Sequence, residues 1–341
     1  MTKNSFSTRL REARLMMGFS MDKLADLTHG AITKQSIYCY EKGIMRPKRD
    51  ALKAISNALN ISEEYFEGTY LKIDMPMLRT RSNGKLSNDE LEALEAKISF
   101  WAEQYITKEK EAEFQNRFTN PIKGTIVSTT EDAMLAANLL REKWHCGDGP
   151  IASILRLFER KGIKILAANL PENVFGLSTW ADKKHPLMIL DLRADKSSVE
   201  KLRFTAVHEL AHLLLKLPDD SPLTVEKRCD MFASFFLLPK QALIEELGSK
   251  KRELITLDEM IDIKEQYGES LAASIIAARD YGIISTEYKR AWYAEHIIPN
   301  PQETDNGHYA YPETVGREKR IETVIENAAN NNNRNKIYVL N

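Results

Sequence analysis

The run F-T-A-V-H-E-L-A-H-L-L-L (204–215) decides how this chain is read. Its apolar residues keep helical spacing, and on a helix His208 and His212 stand one turn apart on one face. Two imidazoles so placed can reach one metal ion. Glu209, next to the first, can take a proton from a water molecule held there. Without a metal or partners, a carboxylate and two imidazoles in so apolar a frame are costly.

Working outward, E-K-R-C-D-M-F-A-S-F-F-L-L-P (226–239) begins 14 residues after His212 and reads as a second amphipathic helix. Glu226 and Asp230 share one of its faces. Glu226 can supply a third ligand to Zn2+, and Asp230 can accept the second ring N–H of a ligating histidine and fix its tautomer. Two histidines, one glutamate and an open position form the catalytic rather than the closed structural type of zinc site. The chemistry expected is metal-assisted hydrolysis, with Glu209 as general base. No oxyanion-stabilising donor is identified; Tyr267, His185 and Tyr281 are candidates that read more readily as ordinary surface or core residues.

Upstream of the motif, strand-like runs cover 163–168, 174–180 and 187–191, the last two joined as a hairpin. The second or third of these is a candidate edge on which an extended peptide could pair. Helices are expected at 129–145, 151–161, 197–216, 224–237, 239–248, 256–266 and 270–280. The tail is expected to be mobile over 299–316 and the Asn-rich 330–333, with a short strand at 337–340.

Together G-I-K-I-L (162–166), F-G-L-S (175–178) and the two helical motifs resemble the ImmA/IrrE family of metallopeptidases, over about residues 130–290. The resemblance implies zinc, a gluzincin-like fold of helices with a small mixed or antiparallel sheet, and endopeptidase activity against helix-turn-helix repressors. His208, Glu209, His212 and Glu226 match the family's ligand and base positions. Cys229 stands where the family commonly has alanine.

The first 68 residues read as five short helices, with apolar Leu10, Ala13, Leu24, Leu27, Ile37, Leu52, Ile55, Leu59 and Phe66 at helical spacing. Ser20 and Thr33 are the expected N-caps. The runs G-F-S-M-D-K-L-A (18–25) and T-K-Q-S-I-Y-C-Y-E-K-G (33–43) resemble the Xre/Cro-type helix-turn-helix family. That implies DNA binding, with the helix opening at Thr33 in the major groove. Lys34 would then reach a guanine edge or a phosphate, Gln35 and Ser36 would face base edges, and Lys42, Arg46 and Lys48 the phosphates. Met21 and a turn about one residue longer than usual depart from that family's pattern.

Charge agrees with this division. Residues 1–60 hold 11 Lys/Arg against 5 Asp/Glu, whereas the remainder holds 37 against 44, so the head alone suits a polyanion. The three cysteines form neither a disulfide framework nor a Cys-based zinc site, which predicts a reducing, cytoplasmic compartment. No apolar run approaches a membrane span, and the N-terminus does not read as a signal peptide.

The expected organisation is multi-domain: an all-α head at 1–68, linker and charged helix at 69–120, an α+β zinc domain at 121–298 and an extension at 299–341. Leu91, Leu94, Ile98, Trp101 and Tyr105 form a short seam at 87–118, either packed on its own protein or dimerising as a coiled coil. Two functions follow. One is a DNA-binding regulator whose zinc endopeptidase cleaves a protein such as a helix-turn-helix repressor, in a stress, phage or toxin–antitoxin response. The other is a repressor or antitoxin-like autoregulator whose zinc domain senses a signal or binds a partner, such as a toxin, without turnover.

Overall fold

The computed structural model describes residues 5–67, 88–114 and 117–338. The chain divides into two compact units. One comprises the residues up to Glu111 together with Ala181–Lys183, and the other the remainder.

The first unit contains α1 (Ser5–Met16), α2 (Met21–Leu27), α3 (Lys34–Glu41), α4 (Arg49–Leu59), α5 (Glu63–Glu67) and α6 (Asn88–Glu111). Ser20 and Thr33 cap α2 and α3 by accepting from Lys23 N and Ser36 N, and Asn60 ends α4 in the left-handed conformation. Leu10, Leu24, Ile37, Ile55, Leu59 and Phe66 form the core. A bidentate Arg14–Glu41 pair ties α1 to α3.

Helix α6 stops at Glu111, short of the expected 118. Its last turns are Thr-Lys-Glu-Lys-Glu with no apolar residue to bury, and Glu113 follows at φ 55°. It packs on α1, clamped by Arg9 to Glu103 and Arg11 to Glu92. Leu91, Ile98 and Tyr105 of the apolar seam are buried within this unit. The linker expected over 69–88 falls outside the described residues except for its last position, Asn88, which opens α6.

The second unit runs α7 (Thr130–Trp144), α8 (Ile154–Arg160), β1 (Lys164–Ala167), β2 (Gly176–Ala181) and β3 (His185–Leu190). It continues with α9 (Val199–Leu214), α10 (Val225–Leu237), α11 (Lys240–Leu247), α12 (Leu257–Tyr267), α13 (Leu271–Asp280), α14 (Thr286–His296) and α15 (Arg317–Tyr338). Helix α14 was not anticipated from the sequence. The sheet is mixed, in the order β1-β3-β2, with β1 and β3 parallel in the register Lys164↔Leu187 to Ala167↔Leu190. Asp182 and Lys183 both take positive φ, the backbone of turns that suit the right-handed twist of paired strands. Strand β3 is central, so of the two strands proposed as a peptide-pairing edge only β2 is an edge. Helix α9 packs on β3, and α10 packs against both α7 and α9.

The tail corrects the expectation of mobility. The Glu303 carboxylate accepts from Leu271 N and Ala272 N at the start of α13 and pairs with Lys264. Glu313 accepts from Ile154 N and Leu155 N at the start of α8 and pairs with Arg203. Glu159 in return accepts from Gly316 N and Arg317 N at the start of α15. Each carboxylate meets orphan N–H groups at the positive end of a helix. Pro- and Gly-rich composition reads as loop, yet these contacts lie far apart in sequence and tie the loop down. The run 330–333 lies in α15, and so does Ile337, where a strand was expected; residues 339–340 fall outside the described residues.

Candidate metal centre

Helix α9 starts at the Ser198 cap, and its Leu-rich face carries His208 and His212 into the gap beside α10. Helix α10 starts at the Thr224 cap, which puts Glu226 in its first turn and Asp230 one turn on. Buried Arg228 clasps this start by donating to Val127 O and Pro218 O.

The polar atoms converge. His208 Nε2 is 3.2 Å from His212 Nε2 and 3.1 Å from Glu226 Oε2, and His212 Nε2 is 3.5 Å from Glu226 Oε1. The far nitrogens are engaged separately: Nδ1 of His208 lies 2.9 Å from Asp230 Oδ1, and Nδ1 of His212 3.7 Å from Cys229 Sγ. With Nδ1–H donated to Asp230, Nε2 is the atom of His208 that either bonds Glu226 through a proton or, in the neutral ring, offers its lone pair to a cation. Burial would lower the pKa of His208, but the bonds to Asp230 and Glu226 and the charge of Glu209 outweigh it and raise it to about 9. Acceptors that favour a bound proton so strongly also favour a bound cation.

A metal ion fits this arrangement. Tetrahedral ligands at metal distances of about 2.0–2.1 Å stand about 3.3–3.4 Å from one another, close to the three separations between the Nε2 atoms and the Glu226 carboxylate. His208, His212 and Cys229 also place candidate ligand atoms within 4.8 Å of one another. The Cys229 sulfur, however, lies beside Nδ1 of His212, whereas Nε2 of that ring faces His208. The geometry therefore favours Glu226 as third donor and leaves Cys229 as a ring partner.

Glu209 is buried at 2% exposure, and Ser178 of β2 donates to its Oε2 at 2.8 Å. Sequence reading missed Ser178, although F-G-L-S was among the motifs that stood out. In a strand, Gly176 and Ser178 share a face, here the one turned to α9. A Cβ at Gly176 would lie 2.7 Å from Thr205 Cγ2, 2.8 Å from Leu190 Cδ2 and 3.3 Å from Glu209 Cγ. Only glycine lets the strand approach this closely. We expect Gly176→Ala to cost about 1–3 kcal/mol in urea unfolding, through overpacking, and to loosen the Ser178–Glu209 contact. Unchanged stability would mean that β2 shifts without cost.

Two of the candidate oxyanion donors are committed elsewhere. The Tyr281 hydroxyl donates to Leu238 O at 2.8 Å, and that of Tyr267 to Glu246 at 3.4 Å. His185 opens β3, half-buried.

In the first unit Thr33, Lys34, Gln35, Lys42 and Arg46 are exposed, and Ser36 is half-buried at the first turn of α3. Lys34 pairs with Asp22 at 2.7 Å, so engaging a base or phosphate would exchange one carboxylate partner for another acceptor.

Family models match both units: residues 10–66 fit a helix-turn-helix model, and residues 158–275 an IrrE N-terminal-like domain, peptidase family M78. The chain joins a helix-turn-helix domain to an IrrE-like peptidase-family domain. No curated protein and no solved structure matches it significantly. The IrrE-like match takes in β1 to β3, α9, α10 and every residue of the candidate centre, and the helix-turn-helix match takes in the exposed face of α3. Among the described residues no helix is long and apolar enough to cross a membrane.

Proposed function

We propose that the IrrE-like domain is a zinc-dependent endopeptidase and that the helix-turn-helix domain directs it to DNA. The observation that carries the first half is the convergence of two Nε2 atoms and one carboxylate at tetrahedral ligand spacing beside a buried glutamate. His208, His212 and Glu226 would hold the ion, and Asp230 would orient His208. When bound, zinc supplies Lewis acidity, polarising a peptide carbonyl and acidifying water. Glu209 serves as the base, taking a proton from the attacking water and returning it to the leaving amine, while Ser178 fixes its Oε2. An extended peptide would add as a strand along β2. The family resemblance points to a regulatory protein, such as a helix-turn-helix repressor, as substrate.

Metal analysis of the purified chain is expected to give one zinc per chain, lost in His212→Ala. Asp230→Asn should weaken zinc binding about 10- to 100-fold in chelator competition, because such orienting partners typically contribute that much. Equal zinc content in parent and His212→Ala would refute the ligand set.

For the head, α3 presents its first turn to the major groove. Replacing Gln35 by Ala should relax preference at one base pair, at about 1–3 kcal/mol, whereas Lys42→Ala should weaken all sequences alike and flatten the salt dependence. Binding titrations on operator and scrambled duplexes separate the two effects. The α6 seam is buried within the first unit, so no dimer is proposed through it.

A further inference from the structure

A cavity of about 390 Å³ lies between α9, α10 and α13, closed on one side by Pro301, Gln302 and Glu303 of the tail. That is the size of a small-molecule site. Its charges are unevenly satisfied. Each acidic side chain on its wall has a partner: Glu200 accepts from Tyr309 N, Glu303 pairs with Lys264, Asp280 with Arg279, and Asp230 with His208. Of the lysines, Lys196 is held by Asp191 and Lys264 by Glu303. Among the described residues Lys201 and Lys227 close no ion pair, although Lys227 feels the charge of Asp280, and Lys201 rests over the Phe175 ring.

Phe204, Met231, Phe235 and Ile276 supply apolar wall. The Ser234 hydroxyl, on that wall, and the fully buried Glu269 beside it are in electrostatic reach of one another, but among the described residues neither makes a well-formed hydrogen bond, and burial holds the Glu269 carboxyl well above its ordinary range. A buried polar group left without a partner costs free energy that a ligand can recover. Asp230 also lines the cavity, its side chain 42% exposed, while one of its oxygens holds Nδ1 of His208.

We propose that this cavity binds a small anion with an apolar body, and that its occupancy is felt at the metal centre through Asp230. The two unpaired ammonium groups take the anionic head, the aromatic and aliphatic wall takes the body, and Ser234 offers a hydrogen bond. A filled cavity strips water from the Asp230 carboxylate and so tightens its bond to His208. An occupant thereby gains a route to the candidate metal centre without touching His208, His212 or Glu226.

The probe is 1-anilinonaphthalene-8-sulfonate, titrated calorimetrically into the metal-free full-length chain, with neutral N-phenyl-1-naphthylamine for comparison. Because no metal is present, this binding stands or falls independently of the peptidase reading. We expect one site for the sulfonate, weaker binding of the neutral compound, and a loss of about tenfold or more in Lys201→Ala/Lys227→Ala. Ala273→Phe, which fills the cavity, should abolish the site, and circular dichroism checks that it folds. The lysine pair is exposed and provides a test should Ala273→Phe fail to fold. Bound sulfonate should then raise zinc affinity by about fivefold or more in the parent and not in Asp230→Asn. Equal binding by parent and lysine variant, or by charged and neutral probes, overturns the anion site. Binding with no change in zinc affinity overturns the link through Asp230.

Discussion

A chain carrying Glu209→Gln should keep its zinc and its DNA affinity and yet cleave nothing. General-base catalysis contributes about 10²- to 10⁴-fold, and the amide retains the shape of the carboxylate while losing its basicity. Ser178 can still bond the amide oxygen, so the β2–α9 contact survives. The measurement compares protein N-termini in cells expressing parent or variant, alongside zinc content of the purified chains. New termini that appear with the parent alone identify the substrate. Identical termini in both would remove the peptidase reading and leave a regulator with a metal-binding domain.

Glu313→Ala should be the most damaging change for stability, at about 3–5 kcal/mol, because it leaves a buried guanidinium without its counter-charge. Both side chains of the Arg203–Glu313 pair are wholly buried. Arg203 would retain the carbonyls of Ile151, Tyr267 and Gly268, which carry no charge, and the start of α8 would lose the acceptor for Ile154 N and Leu155 N. Urea unfolding followed through the second unit's Trp144, Trp180 and Trp292 measures the loss. Arg203→Met/Glu313→Met should recover much of it, since matched apolar replacement of a buried pair is often near neutral. A loss below about 1 kcal/mol would mean that water or a rearranged neighbour reaches Arg203.

Periodicity made most of the helices and all three strands of the second unit legible, because apolar faces at fixed spacing need only local sequence. The grouping of the candidate centre's residues was legible for a related reason. His208 and His212 share a helix, and Glu226 and Asp230 share the next, so spacing alone aligned each pair. What stayed hidden depended on contacts between distant segments. Ser178 meets Glu209 only because β2 lies against α9, and nothing in its own neighbourhood marks it. The seam at Leu91, Ile98 and Tyr105 was legible as apolar, but its partner α1 was not. The tail misled most, since Glu303 and Glu313 look like any loop acids until their partners, Lys264 and Arg203, are in place.

The reach of that tail sets where the second unit can be cut. A fragment ending with the family match at residue 275, or even after α14, would take the Glu303 carboxylate from Lys264 and leave the buried guanidinium of Arg203 without Glu313. Recombinant versions of the second unit therefore have to run past Gly316. A protease nicking the chain between Glu303 and Glu313 would, by the same logic, dismantle the scaffold behind His208 without touching a residue of the candidate centre.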